Sequence, residues 1–255
     1  MILFFAAAVA QELAWDWSQP HRFVLAGHYV TPENWSTSFA GQEAAYAAIS
    51  TRLVTTCVRE AELRRSRSRV LCTIEQGTIQ GVPAAGSEGE LSAILVGQSG
   101  WLKDQVVELV VEPSGRVHRF DVVSTDVGID ELQAWRVEQM AILGFAALGV
   151  ELGPGERWKQ KPYVHGLNVA WGQLVVEHVR DGNTGLGSAE SRANTLEVSW
   201  TFDPAVGALT EVELSRHTDF SVQGHQTTVR SGLRRVPADE AVMLPMSGEV
   251  APEAF

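Results

Sequence analysis

The stretch "CVREAELRRSRSRVLC", from Cys57 to Cys72, holds the only two cysteines in the chain and lies inside a symmetrical arrangement of strand-forming residues. Thr51 to Val58 and Arg69 to Ile79 are rich in Val, Thr and Ile and predict the two strands of a hairpin. With the turn centred between Arg64 and Arg65, residue n faces residue 129 minus n, so Cys57 faces Cys72. Facing residues of an antiparallel pair hold their Cβ atoms ~4.5–5.5 Å apart on one face, close to disulfide reach. A cross-strand disulfide is therefore predicted; two buried thiols are the alternative in a reducing compartment. Zinc would need further Cys or His ligands close in sequence, and redox catalysis a C-x-x-C pair, and neither pattern is present.

The charges between the cysteines, Arg59, Arg64, Arg65, Arg67 and Arg69 against Glu60 and Glu62, make a basic hairpin tip. Arg64, Arg65 and Arg67 are its candidate anion-binding residues; a solvated turn that guards a protruding edge is the simpler reading. Elsewhere the chain is acidic. Its net charge of -11 argues against nucleic acid, whose phosphates recruit clustered Lys and Arg. At 255 residues, with 45% hydrophobic and 20% charged residues, it is long enough and apolar enough to bury a sizeable core.

"MILFFAAAVA" is apolar from Ile2 to Ala10 and closes on an A-x-A pattern, which predicts a signal peptide over residues 1–10 and a periplasmic or secreted protein. The run lacks a basic n-region, and a short buried element is the alternative. No cysteine follows it, which argues against a lipid anchor. No later segment has the ~18 apolar residues of a transmembrane span.

Further strands are predicted from "RFVLAGHYV", from two Val-rich runs flanking Glu112-Pro113-Ser114-Gly115, and from "NVAWGQLVVEHVR" and "HQTTVRSGLRRV". "TLEVSWTF" alternates Leu196, Val198, Trp200 and Phe202 on one face with Thr195, Glu197, Ser199 and Thr201 on the other, the pattern of a half-buried antiparallel strand. "FAGQEAAYAAISTRL" predicts a short helix from its Ala, Glu and Gln, and "QGVPAAGSEGE" a loop. A long helix is predicted over about 130–150, opened by an Asp130/Gln133 capping box; its second half, "MAILGFAALGV", is apolar all round and must be buried against a sheet. "VEPSGRVHRFDVV" and "FDPAVGALTEVEL" are similar acidic–Pro–Gly hairpins and suggest two related β segments.

Catalytic patterns are missing. No two histidines stand at i, i+4 on a helix, "GQSG" at Gly97 to Gly100 is not a nucleophile elbow and sits in a predicted loop, and "GNTGLG" reads as a β–β loop. No catalytic residue, metal site or cofactor is predicted. Among the eight tryptophans and the aromatic strand faces, Trp135, Phe145, Trp171, Trp200 and Phe202 are the candidates to line an apolar ligand site; filling the core is their alternative role.

Together these readings predict a mainly β protein with a long buried helix. Its antiparallel sheet meanders, with β segments at about 22–125 and 156–236 joined by the helix. A single domain spans 11–236 and a flexible tail 237–255. The order of features resembles the periplasmic lipoprotein-carrier (LolA/LolB-like) half-barrels, which implies a meandering antiparallel sheet curled as a half-barrel around the helix. "LGPGERW" and "FDPAVGAL" are similar to segments of uncharacterised bacterial exported β proteins. The resemblance implies an exported, non-enzymatic envelope protein whose partner is a hydrophobic small molecule, a lipid or a lipidated envelope protein. The other expectation is a structural or assembly subunit of an envelope complex. The carriers are usually shorter, and duplication is not part of their pattern.

Overall fold

The computed structural model describes residues 13–87, 89–123, 131–161, 171–172, 174–220 and 225–251. The predicted signal peptide, the capping-box Asp130 and part of "NVAWGQLVVEHVR" lie outside the described residues, and so does the side chain of Trp135, which falls on the second helix. In chain order come β1 (His21–Phe39), β2 (Gln42–Glu62), β3 (Ser68–Pro83), α1 (Glu90–Leu102), β4 (Val106–Val111), β5 (Val117–Val123) and α2 (Glu131–Phe145). These are followed by β6 (Arg157–Gln160), β7 (Val176–Asp181), β8 (Thr184–Glu190), β9 (Asn194–Asp203), β10 (Ala208–Phe220), β11 (His225–Val236) and β12 (Gly248–Glu249).

Antiparallel pairing runs through one open sheet in the order β5-β4-β3-β2-β1-β11-β10-β9-β8-β7-β6, and only β12 lies parallel, beside β3. The protein is mainly β, and the sheet does not close into a barrel: β5 and β6 remain edges. Two meanders, β1 to β5 and β6 to β11, meet where β1 pairs β11 from Arg22↔Val236 to Val30↔Thr228.

The predicted hairpin register is present. Cys57 faces Cys72 and the two form a disulfide. The sum of 129 holds from Thr55↔Ile74 to Arg59↔Val70 and slips by one at a bulge on either side, where an extra residue raises the local twist.

Three sequence-based expectations are corrected. "FAGQEAAYAAISTRL" is not helical: the chain turns at Ala40-Gly41 and enters β2, where Ala44, Tyr46 and Ala48 alternate inward between β1 and β3. Pairing on both sides outweighs alanine's helix propensity, which is the highest of any residue but yields to tertiary context. The stretch containing "GQSG" is not a loop but lies within α1. Its amide ends are capped from far away, since Glu249 Oε1 accepts from Gly89 N at 2.9 Å and Ser92 N at 3.0 Å. "GNTGLG" is a loop only at Gly182-Asn183; Thr184 onward is β8.

The long helix is also corrected. It is short, ending at Phe145, and passes into one 3-10 turn, Ala146–Gly149. The cause is competition for its carbonyls. Thr51 Oγ1 donates to Met140 O (2.9 Å), Ser231 Oγ to Leu143 O (2.8 Å), Trp171 Nε1 to Ala146 O (2.8 Å) and Gln160 Nε2 to Gly149 O (2.8 Å). Donors from the sheet and from Trp171 thus serve the orphan carbonyls of the helix end. Burial of "MAILGFAALGV" is as predicted, every residue from Met140 to Val150 being buried. The helix touches the sheet at Gly27, where a Cβ would come within 2.6 Å of Leu143.

Both helices cover the same face of the sheet, and one hydrophobic cluster joins them to Phe23, Leu25, Leu53, Trp200 and Val212. The opposite end of the chain closes the structure. Trp15 N donates to Pro113 O in the β4–β5 turn and Asp16 N to Gly207 O in the β9–β10 turn, each at 2.7 Å. On a flat sheet five interstrand steps would part β4 from β10 by roughly 24 Å. Consecutive residues are about 3.8 Å apart, so a single strap can reach both turns only because the sheet curves. Gly115 and Gly207, at φ 84° and 59°, give these turns their left-handed corners and leave room for Trp15 and Asp16. The stretch after Pro237 is held by β12 and by Ile79 N donating to Ser247 Oγ (3.3 Å).

Candidate functional site

With one face sealed by the helices, the alternating residues of the same strands face outward and build a groove of about 1060 Å³ over β1 and β7 to β11. Register dictates its composition. One row of outward neighbours reads His28, Arg230, Ser215, Glu197, Ser188, Glu177. The next reads Ala26, Gly232, Glu213, Ser199, Leu186, Val179. Small residues, Ala26, Gly232 and the serines, form the floor. Leu186, 66% exposed, and Val179, 48% exposed, stand as an apolar ridge at one end. Two shallower hollows of about 520 and 400 Å³ continue the groove along β8, β9 and β10.

The electrostatics differ between the ends. At the β1–β11 end, burial and then the neighbouring Arg230 push the His28 imidazole down to about 4, so it is neutral at pH 7 and Arg230 carries the charge there. At the β7 end the Glu177 carboxyl is lowered, chiefly by the hydrogen bond from Lys159, whose Nζ lies 2.5 Å from Glu177 Oε1 across β6 and β7. Glu197 and Glu213 lie between. The groove therefore combines an apolar ridge, a hydroxyl-lined floor and charges of both signs at known places, which suits an amphiphilic ligand or the surface of a partner. Among the described residues no group of three or more His, Cys, Asp and Glu is placed to hold a metal ion.

The residues singled out from sequence are placed differently. Phe145, Trp171, Trp200 and Phe202 are buried in the common core, each at 2% exposure or less, and Trp200 also borders the second hollow. Tight packing fixes them: a Cβ on Gly185 would meet the Trp200 ring at 2.1 Å, and Phe120 lies edge-on to Phe145 at 5.8 Å. Arg64, Arg65 and Arg67 occupy the β2–β3 turn, far along the chain from the groove residues. The groove residues His28, Val179, Leu186, Glu213 and Arg230 were not singled out. Their signal is the outward half of each alternation, in which Leu186 is an apolar residue in a polar series, flanked by Gly185 and Gly187.

No protein-family model matches the chain, and no curated protein matches it in sequence. Among solved structures it is similar to lipovitellin, in a study of lipid–protein interactions in that protein, at 9% identity and a TM-score of 0.50 over 89% of this chain. The chain spans 26% of that protein's length. A mutant of the vaccine antigen transferrin binding protein B from Haemophilus parasuis Hp5 aligns at 8% identity over 87% of this chain and 27% of that one, with a TM-score of only 0.18. At 9% identity the likeness to lipovitellin is one of fold alone.

Proposed function

We propose that this is an exported, non-enzymatic envelope protein, periplasmic or secreted, that binds a hydrophobic ligand or a lipidated partner in the groove over β7 to β11. The observation that carries the reading is the pairing of a groove of about 1060 Å³ with an apolar ridge, Leu186 and Val179, on the sheet face that the core does not use. The disulfide supports an oxidising compartment. The fold shared with lipovitellin, a protein studied for its lipid interactions, is in keeping with an apolar ligand.

The test is a groove-filling variant that leaves the core alone. A Cβ on Gly232 would meet nothing closer than 3.7 Å, so Gly232→Leu adds volume to the floor without a clash. Protein isolated from its host should yield lipid in an organic extract and take up a lipophilic dye. Gly232→Leu should weaken uptake at least tenfold with an unchanged melting temperature. An empty extract together with no dye uptake would sink the proposal.

A second reading, a structural or assembly subunit of an envelope complex, has its own support. The helix-bearing face is filled by the chain's own side chains, while Val179 and Leu186 face each other as an exposed apolar pair on β7 and β8, near the β6 edge. On this reading Leu186→Asp abolishes co-purification with a fixed partner and no lipid is extracted.

A further inference from the structure

We infer that the tip of the β2–β3 hairpin is a docking element for an anionic lipid surface, a site separate from the groove and independent of what the groove binds. β1 accompanies β2 only as far as His21↔Cys57, so Val58 to Glu62 form an open strand edge on that side, while β4 flanks β3 out to Ser68↔Val111 on the other. Beyond the last pair, Glu62↔Ser68, the turn closes through Leu63 N donating to Arg67 O (2.7 Å). The Cys57–Cys72 disulfide ties β2 to β3 at the level where β1 ends.

Its chemistry is unlike that of the rest of the molecule. Arg59, Arg64 and Arg65 form no ion pair among the described residues. Arg67 approaches Glu112 at 3.5 Å, and Arg69 is held by Glu60 (3.0 Å) and Glu108 (2.5 Å). With Arg67 and Arg69 engaged by carboxylates, Arg59, Arg64 and Arg65 are left as the basic groups of this end in a chain of net charge -11. The turn also exposes a large apolar side chain, Leu63 (37%), with Val58 (43%) further back on the β2 edge. Arg65 and Ser66 also hold left-handed conformations, φ 64° and 57°, which glycine or asparagine adopts more readily. Arginine stands at a corner where backbone preference alone would select another residue, which points to a use for its charge.

The combination selects the partner. A planar anionic surface can be met by the turn Arg64 to Arg67, which lies beyond the last paired residues Glu62↔Ser68. Exposed Leu63 suits the headgroup boundary, where basic residues and apolar side chains act together. A polynucleotide would instead call for a basic track along several phosphates, and these arginines occupy a single turn.

The experiment is co-sedimentation of the full chain with vesicles of phosphatidylcholine alone and of phosphatidylcholine with one-third phosphatidylglycerol. Binding is expected only to the anionic vesicles and should vanish in high salt. At roughly fivefold per arginine, Arg64→Gln with Arg65→Gln should lower partitioning about 25-fold. Arg64→Lys with Arg65→Lys should retain most of it, and near-UV circular dichroism should show both variants folded. Equal binding to the neutral vesicles, no binding to either, an undiminished Gln variant, or tighter binding to a single-stranded oligonucleotide than to the anionic vesicles would each overturn the assignment.

Discussion

His178 shows how one side chain can record the polarity of its surroundings. It lies on the inner face of β7 with its ring stacked on Trp158, centroids 5.0 Å apart, and is 1% exposed. Gln160 fixes the tautomer. Its Nε2 donates to Gly149 O and its Oε1 accepts from Glu151 N, so the amide orientation is set and His178 Nε2 donates to Oε1 at 3.0 Å. Nδ1 then has no partner among the described residues. Protonation would bury a cation with an unsatisfied N–H, and burial accordingly pushes this imidazole down to about 4 from 6.5. The unfolded chain binds the proton more readily, so stability is complete above pH 6.5 and is lost as pH falls towards 4, by about 3 kcal/mol from this residue. His21 and His28 are lowered as well and steepen the slope. Urea midpoints measured from pH 7 to 4.5 should fall, and His178→Phe, which can keep the stack on Trp158, should flatten the decline. Gly27 permits a different test. With Leu143 atoms 2.6 Å from a Cβ there, Gly27→Ala should cost about 1–3 kcal/mol of unfolding free energy, the range for forced overpacking.

Among the elements, the β2–β3 hairpin carries the clearest link from sequence to structure. Its disulfide closes a loop of sequence separation 15, and reduction should lower stability by about 3 kcal/mol in the chain-entropy description. Denaturation with and without reductant, repeated on Cys57→Ala with Cys72→Ala, measures it. The hairpin could be read because its information is local: matched strand formers and two cysteines equidistant from a turn. β9 was legible for the same reason, since Leu196, Val198, Trp200 and Phe202 alternate strictly and all four are buried. α1 was not legible. Gly97 and Gly100 dilute its helical signal, and its cap comes from Glu249, some 160 residues away. At Gly97 a Cβ would strike the Phe39 ring at 2.5 Å, so the residue that weakens the helix in isolation admits its partner in the fold. The end of α2 escaped for a related reason, since Thr51, Gln160, Trp171 and Ser231 decide where it stops. The groove was hidden because its rows exist only once six strands are in register. Leu186 and Arg230 are unremarkable alone and become neighbours of a common hollow through β8, β9, β10 and β11.

For the molecule as a whole, the strap at Trp15 and Asp16 is the point on which the curvature of the sheet is fixed. Trp15 is buried, stacks on Trp17 with centroids 4.7 Å apart, and meets Phe23 edge-on at 6.1 Å. Trp15→Ala should cost about 3–5 kcal/mol, as large aromatic truncations do. The loss should loosen both bridged turns together, so amide exchange at Gly115 and at Val206 should rise in parallel, although these residues belong to different meanders. Faster exchange at only one of them would show that the two halves bend independently.

The seam between β1 and β11 also orders events in time. Synthesis delivers β1 long before β11, the strand that completes its second edge from Arg22↔Val236 to Val30↔Thr228. The strap must wait as well, 98 residues from Trp15 to Pro113 and 191 from Asp16 to Gly207. Until the second meander has emerged, β1 offers an unpaired edge on the growing chain, exposed to any strand that reaches it first. A protein built this way leans on whatever shields nascent chains in its compartment, and its yield should depend on that escort more steeply than its final stability would suggest.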